Sequence, residues 1–237
     1  MISIAMRSLF LLLVLWSSLA LGQVPEWGRF DYILYDNGDR PVGTYFFTIG
    51  KERGVWRITS DMRVDTKFLF LPIRFHDRNT FTHDGNTFQS FSVSYLKDVP
   101  LQRTVHLEVS GARNGNNWII QSSKTGNVES RRVPHSAFDE IRNLISRLVR
   151  PEAVLKPGEI RRSLSLDPLT LEISEVESRG IEIVSTEFQG RKRDLYVMET
   201  KASDGNVKVY KFVNGLIYRS QTGEGYALLK SAQTPSF

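Results

Sequence analysis

The dominant pattern in this chain is an alternation of apolar and polar residues with a period of two. Over residues 55–64 one parity is apolar, and the other carries charged or hydroxyl side chains. The apolar positions there are Trp56, Ile58, Met62 and Val64. The same alternation recurs over residues 104–109 and 169–174. This period is typical of antiparallel strands with one buried face and one solvated face.

Turn sequences separate the alternating segments. Asn-Gly and Asp-Gly pairs tolerate the positive φ angles of tight hairpin turns. Such turns are indicated at residues 36–39, 84–86, 114–116, 204–206 and 214–215. About eleven or twelve strands are predicted, near residues 30–36, 41–50, 54–64, 73–83, 87–96, 102–110, 117–123, 159–166, 169–177, 181–188, 194–201 and 206–230, the last of these being a hairpin or more. Because so many strands normally curl, close or split into layers, we predict a mainly β protein with a single antiparallel, closed or half-open β-barrel-like sheet.

One segment departs from this pattern and predicts an amphipathic helix over about residues 136–149. Ser136 is a suitable N-cap residue, and acidic residues follow it in the first turn. Apolar residues then recur at helical spacing. These are Phe138, Ile141, Leu144, Ile145 and Leu148. Such a helix suits the end of a barrel or an exposed sheet edge, and the alternative is a helix that lies on a membrane.

The first 22 residues have the layout of a secretory signal peptide. Arg7 precedes a continuous apolar run over residues 9–16, and small residues lie at 20 and 22. The alternative is a membrane anchor, but the run is shorter than the roughly 20 residues that span a bilayer. We predict a signal peptide over residues 1–22 and one β-barrel-like domain over residues 23–237. Loss of Arg7 lowers the formal net charge from +5 to +4.

The composition limits the partners of the exported chain. It has no cysteine, so disulfides are excluded and stability depends on the core. Basic residues form short clusters, such as residues 191–193, which suit either a solvated face or contact with anionic lipid. We expect no nucleic acid, because the chain lacks a recognisable binding motif. A permanent membrane anchor is not expected either.

The sequence lacks the usual catalytic and cofactor motifs. It has no G-x-S-x-G or H-E-x-x-H motif and no phosphate-binding glycine loop. We therefore assign no catalytic residue, metal ligand or cofactor, and an enzyme with a dispersed site is the least favoured alternative. His76 and His83 are the one histidine pair worth weighing, since a hairpin between them would bring their strands side by side. They supply two ligands where a metal site needs three or four.

Two patterns suggest ligand-binding residues. Residues 68–73 are an unbroken apolar run, which fits either a strand buried on both faces or a hydrophobic lip at a binding site. Pro72 favours an edge or loop, because it has no N–H for a sheet. Serines at 90, 92 and 94 share one parity, and small residues facing an interior leave space for a ligand, although they equally suit a solvated face. The candidate ligand-binding residues are Phe68, Phe70, Leu71, Ile73, Ser90 and Ser92.

Two stretches resemble a known group of exported bacterial proteins. One is Phe30-Asp31-Tyr32-Ile33-Leu34-Tyr35, followed by Gly38 and Pro41-Val42-Gly43, and the other is residues 208–219, Lys-Val-Tyr-Lys-Phe-Val-Asn-Gly-Leu-Ile-Tyr-Arg. The group consists of periplasmic antiparallel β proteins classed as domains of unknown function, which look like half-open or closed barrels. The resemblance spans most of the chain after residue 22 and implies export and fold, but no functional residues.

These observations favour a periplasmic or secreted protein that binds a lipid or another apolar ligand inside a β-barrel-like sheet. In this hypothesis the lip around residues 68–73 admits the ligand and apolar walls shield it from water. The alternative is an envelope interaction or scaffold protein that binds a protein partner through a sheet edge or the basic clusters.

Overall fold

The computed structural model describes residues 27–68, 71–84, 88–100, 104–124, 126–141, 154–167, 170–202 and 205–233. Within these ranges the regular structure consists of fifteen strands and a 3₁₀ turn at His135–Ala137. The strands are β1 (Trp27–Asp36), β2 (Pro41–Glu52), β3 (Val55–Phe68), β4 (Leu71–His83), β5 (Phe88–Asp98), β6 (Val105–Asn114), β7 (Asn117–Lys124), β8 (Asn127–Pro134), β9 (Glu140–Ile141), β10 (Ile160–Leu166), β11 (Ile173–Phe188), β12 (Arg191–Ala202), β13 (Gly205–Phe212), β14 (Ile217–Gln221) and β15 (Gly225–Gln233).

All fifteen strands belong to one sheet, in which two meanders are joined through the first and last strands. The order is β8-β7-β6-β5-β4-β3-β2-β1-β15-β14-β13-β12-β11-β10-β9. Each pairing is antiparallel except the short parallel contact between β9 and β10. The prediction of a single, essentially antiparallel sheet is confirmed.

The sheet is half-open rather than closed. In the described part of the chain its two edges are β8 and β9. Only residues 135–139 connect these strands, and because each residue spans at most about 3.5 Å, the end of β8 lies within about 20 Å of the start of β9. Arg131 Nη1 on β8 also donates to the carbonyl oxygen of Leu171, just before β11, at 3.1 Å. The sheet therefore curls, which brings its two edges, β8 and β9, toward each other.

One face of the sheet, called the inner face below, carries the hydrophobic core. Phe30 lies opposite Phe47 with ring centroids 4.7 Å apart, and Ile58 lies opposite Phe81. Buried side chains from both meanders form one cluster. The hydroxyl of Tyr32, for example, donates across the interior to the carbonyl oxygen of Ile217 at 2.7 Å. The opposite, outer face carries mainly polar side chains, as the alternation predicts.

Strands β3 and β4 extend beyond their neighbours as a two-stranded ribbon. β3 pairs with β2 only as far as Val64, and β4 pairs with β5 only from Arg74 onward. Among the described residues, 65–68 pair only with 71–74. At about 3.4 Å per residue, these four positions extend roughly 13 Å beyond Val64, the last residue of β3 that pairs with β2. Residues 65–68 and 71–73 are called the β3–β4 ribbon.

The prediction of a helix over 136–149 is wrong for the residues that the structure describes. After the 3₁₀ turn, Phe138 is extended (φ −150°, ψ 148°) and β9 follows. Asp139 explains the difference, because its backbone N–H donates to the carbonyl oxygen of Leu164, and its carboxylate accepts from the N–H of Leu164, both at 2.8 Å. Phe138 packs against Trp118, with ring centroids 5.6 Å apart. Residues 142–149 of the prediction lie outside the described residues.

Two further strand predictions differ from the structure. β8 was not predicted because Asn127–Arg132 are all exposed, so this edge strand has no alternating apolar face over those residues. β11 is one strand with an irregularity between Gly180 and Glu182, where two strands were predicted. Residues 206–230, predicted as a hairpin or more, contain β13, β14 and most of β15.

The packing at Gly43 gives a test of the sheet register. A Cβ atom there would lie 2.2 Å from the carbonyl oxygen of Arg63, whereas a Cβ atom at Gly50 of the same strand would meet nothing within 4 Å. We expect Gly43→Ala to destabilise the protein by about 1–3 kcal/mol, because the backbone of β3 must move. Gly50→Ala is the control and should change stability by less than about 1 kcal/mol. Urea unfolding measures both, and equal effects would contradict the register.

Candidate functional site

Polar side chains cluster on the inner face of β2, β3, β4 and β5, where the packed core gives way to the β3–β4 ribbon. Ser60 lies opposite Asn79, and Asp77 lies opposite Tyr95. Tyr45 lies opposite Met62, one pair further along β3. Tyr45, Ser60 and Asn79 are buried, while Asp77 and Tyr95 are half-buried. These five residues, Tyr45, Ser60, Asp77, Asn79 and Tyr95, are called the inner polar cluster.

Asn79 organises the cluster through its amide. Its Nδ2 donates to the carboxylate Oδ1 of Asp77 at 3.0 Å and to the hydroxyl of Ser60 at 3.3 Å. These bonds direct the amide N–H groups toward Ser60 and Asp77. They leave Oδ1 of Asn79 as an acceptor with no hydrogen-bond partner among the described residues.

The hydroxyl of Tyr45 is another buried polar atom of this cluster that has no hydrogen-bond partner in the described part of the chain. The hydroxyl of Ser60 is near enough to affect its pKa, but the two groups do not reach hydrogen-bonding geometry. A buried polar group without a partner destabilises a folded protein by about 1–3 kcal/mol. Two such atoms on one patch therefore indicate a site suited to a polar group from outside the chain.

Burial controls the ionisation of the cluster. Desolvation raises the pKa of the Asp77 carboxyl above its usual value, and the nearby Asp61 carboxylate adds to the rise, while the bond from Asn79 opposes it. Burial also raises the pKa of Tyr95, to which the negative charge of Asp77 contributes. The pKa of Tyr45 is raised mainly by burial. A neutral hydroxyl at Tyr45 and a carboxyl at Asp77 that resists ionisation favour hydrogen bonding over nucleophilic chemistry.

The inner face of β3 and β4 leads from this cluster to the β3–β4 ribbon. Successive inner pairs are Ser60 with Asn79, Met62 with Asp77, Val64 with Phe75, and Thr66 with Ile73. From Met62 outward, the described side chains of these pairs are half-buried. An open and mostly apolar track therefore leads from the polar cluster to the ribbon.

The structure places part of the predicted lip on this ribbon. Phe68 and Leu71 form its last pair, and Ile73 is half-buried on the inner face. Phe70 lies outside the described residues. The described part of the run therefore ends β3 and begins β4, and it is not one strand buried on both faces. Pro72 is exposed, in agreement with the expectation that it favours an edge or loop.

The serines predicted as candidate ligand residues lie on the other face. Phe91 and Val93 are buried in the core, so Ser90, Ser92 and Ser94 project from the outer face. The suggestion that these serines face an interior is wrong. The structure places them on the outer face, as in the alternative of a solvated face. Ser92 and Ser94 line an outer groove of about 340 Å³.

The two histidines weighed as metal ligands do not converge. His76 and His83 both belong to the continuous strand β4, so the hairpin imagined between them is absent. They are seven residues apart, which places them on opposite faces of the sheet. Within the described ranges, no group of three or more acidic or histidine side chains is arranged to hold a metal ion.

The sequence already contained a signal for the inner polar cluster. Ser60, Asp77 and Asn79 occupy positions of apolar parity, between neighbours such as Ile58 and Phe81. A polar residue at a core position needs a partner. Sequence reasoning missed the cluster because parity alone does not show which strands pair.

Comparisons with known proteins support the fold alone. No protein-family model matches the chain, and no curated protein matches it in sequence. The chain is similar in structure to the crystal structure of a β-barrel-like protein of the domain of unknown function DUF1849 from Brucella abortus. The TM-score is 0.61 at 9% identity, and the match covers 91% of this chain and 99% of that chain. In the part of the chain that the structure describes, no helix is long and apolar enough to cross a membrane.

The raised pKa of Asp77 predicts how stability depends on pH. Because the folded protein holds this proton more tightly than the unfolded chain, stability falls as pH rises from the unfolded value, about 3.9, through the folded pKa. We expect Asp77→Asn to remove this loss, so the variant is more stable than the wild type at pH 7. Its advantage should shrink as the pH approaches 4 in urea unfolding.

Asp61→Asn is the control, for which the expected change in stability at pH 7 has the opposite sign. Burial raises the pKa of Asp61, but hydrogen bonds from His76 and Arg63 outweigh burial and lower it overall. Its contribution to stability is present above the unfolded pKa and lost as pH falls through the folded pKa. This variant should be less stable than the wild type at pH 7, with a deficit that shrinks in acid. A pH-independent effect of both substitutions would contradict the assignment.

Proposed function

We propose that this chain is an exported protein that binds an amphiphilic, lipid-like molecule on the inner face of its half-open sheet. The head group binds at the inner polar cluster, and the apolar part lies along β3 and β4 toward the β3–β4 ribbon. The observation that supports this most is the pair of buried atoms without partners, the Tyr45 hydroxyl and Asn79 Oδ1.

The polar atoms specify the head group. Asn79 Oδ1 accepts a hydrogen bond, Asp77 accepts one when ionised, and the Tyr45 hydroxyl both donates and accepts. A head group with hydroxyl or amine donors matches these three positions. An isolated carboxylate or phosphate matches them less well, because the charge of Asp77 opposes a second anion.

The apolar part of the ligand has a matching surface. Met62, Val64, Phe75 and Ile73 follow the cluster along the inner face and are half-buried without a ligand. Covering apolar surface contributes about 25 cal/mol for each Å² removed from water. A hydrocarbon chain along this track would reach the lip that the sequence indicated.

Export is part of the proposal. The signal peptide predicted over residues 1–22 would deliver the chain to the periplasm or the exterior, where lipids of the envelope are the natural ligand class. The absence of cysteine makes the fold independent of the redox state of that compartment.

Tyr45→Phe and Tyr32→Phe form a matched pair of variants that test the proposal. Tyr45→Phe removes a hydroxyl that has no hydrogen-bond partner among the described residues, so we expect unchanged or higher stability without ligand. It should weaken binding of the probe 1-monooleoylglycerol by about fivefold to tenfold, the effect of one hydrogen bond. Tyr32→Phe removes the bond to Ile217, so it should destabilise the fold by about 0.5–1.5 kcal/mol and leave binding unchanged. Fluorescence titration measures binding of the probe, and urea unfolding measures stability.

Native mass spectrometry of the wild type purified from its own exported fraction supplies the direct test. We expect a bound molecule of lipid mass that is depleted in Tyr45→Phe and retained in Tyr32→Phe. A wild type that carries no extractable lipid and does not bind the probe, or equal binding by both variants, would contradict the proposal.

A protein partner bound at the sheet edge is the second candidate function. β8 is an edge strand whose residues 127–132 are all exposed, and Val128 is 73% exposed. An exposed edge of this length is suited to pairing with a strand from another protein. Loss of partner capture after charge reversal at Arg132 on β8, with variants of Ile73 unaffected, would favour this alternative.

A further inference from the structure

A second cluster of charged side chains lies on the outer face of the same two strands. Asp61 accepts hydrogen bonds from Arg63 Nε at 2.9 Å, from His76 Nε2 at 3.0 Å, and from Arg78 Nε and Nη2 at 3.3 Å. The register produces this arrangement, because Asp61 lies opposite Arg78 and Arg63 lies opposite His76. The four residues are called the outer basic cluster.

Burial within the outer basic cluster is uneven. The side chain of Asp61 is only 6% exposed, while Arg63 and Arg78 are 60% and 62% exposed. The carboxylate therefore forms the floor of the cluster, and the two guanidinium groups form its solvated rim. Two permanent positive charges share this one carboxylate, so the cluster carries an excess of positive charge whatever the state of His76.

Both arginines keep donors for a ligand. The bond from Arg63 to Asp61 uses Nε and leaves the two Nη groups, and Arg78 keeps Nη1. Both arginines hold the same carboxylate, Arg63 at Oδ1 and Arg78 at Oδ2, so their guanidinium groups lie beside each other. Donors from neighbouring guanidinium groups suit a tetrahedral oxyanion.

We infer that Arg63, His76 and Arg78 form a binding site for a phosphate group. Asp61 is a positioning residue that holds the two guanidinium groups side by side and prevents them from separating in the absence of the anion. Arginine is suited to this role because its planar donors match the oxygens of phosphate. The site lies on the face opposite the inner polar cluster, so it does not depend on the proposed amphiphile site.

The chain offers a matched control for this inference. Arg162 is 68% exposed and its Nε bonds Glu177 at 3.0 Å, with Glu175 also within 3.7 Å. It therefore resembles Arg63 in exposure and bonding, but its surroundings carry excess negative charge. Arg63→Gln, Arg78→Gln and Arg162→Gln each remove one positive charge, and only the first two change the site.

The first measurement is calorimetric titration of the full exported chain with inorganic phosphate at constant ionic strength. We expect saturable binding by the wild type, at least tenfold weaker binding by Arg63→Gln and by Arg78→Gln, and unchanged binding by Arg162→Gln. In Asp61→Asn, phosphate should bind more weakly and raise the unfolding temperature less than in the wild type, because the carboxylate that positions the two guanidinium groups is missing.

A second measurement distinguishes the source of the phosphate. Phosphatidylcholine vesicles with and without phosphatidic acid are sedimented with each variant. Vesicle binding that needs phosphatidic acid and is lost in Arg63→Gln and Arg78→Gln identifies a lipid head group, whereas titration with inorganic phosphate alone identifies a soluble phosphate group. Either result supports the site. No saturable response of the wild type to either probe, or equal responses of the two site variants and Arg162→Gln, would overturn it.

Discussion

The pairing of β1 with β15 is the contact on which the rest of this structure depends. It joins residues near opposite ends of the chain from Arg29 with Gln233 to Asp36 with Gly225, with one register shift between Asp31 and Tyr32. Among the described strands, every other pairing joins strands that are consecutive in the chain. Without this contact the two meanders would be separate sheets, each with a further exposed edge. With it, their inner faces share one core, as the bond from Tyr32 to Ile217 illustrates.

Two candidate sites of different chemistry occupy opposite faces of one hairpin. Because side chains alternate along a strand, Ser60 belongs to the inner polar cluster while its neighbour Asp61 belongs to the outer basic cluster. Likewise Asp77 faces inward between His76 and Arg78, which face outward. The two clusters are linked electrostatically, since Asp61 contributes to the raised pKa of Asp77. The inner face therefore suits an amphiphile and the outer face an oxyanion.

Much of the fold was predictable because burial of alternate residues leaves a direct trace in the sequence. The apolar parity around Ile58 and Leu107 correctly identified the buried face. The prediction failed where long-range pairing overrode local pattern. At Phe138 and Asp139 the spacing suggested a helix, but hydrogen bonds to Leu164 and packing on Trp118 hold the segment extended. The candidate site was predicted only in part, since Ile73 lies on the track to the inner polar cluster whereas Ser90 and Ser92 face outward.

The amino-acid sequence by itself determined that the chain folds as half-buried strands and which side chains of each strand share a face. These properties depend on nearest neighbours along the chain and on the two-residue period of a strand. Only the tertiary structure decided that the sheet stays open, that β3 and β4 extend as a ribbon, and that Tyr45, Ser60 and Asn79 share one patch of the inner face. Those outcomes depend on which strands pair and in which register, and that choice is made by residues far apart in the chain.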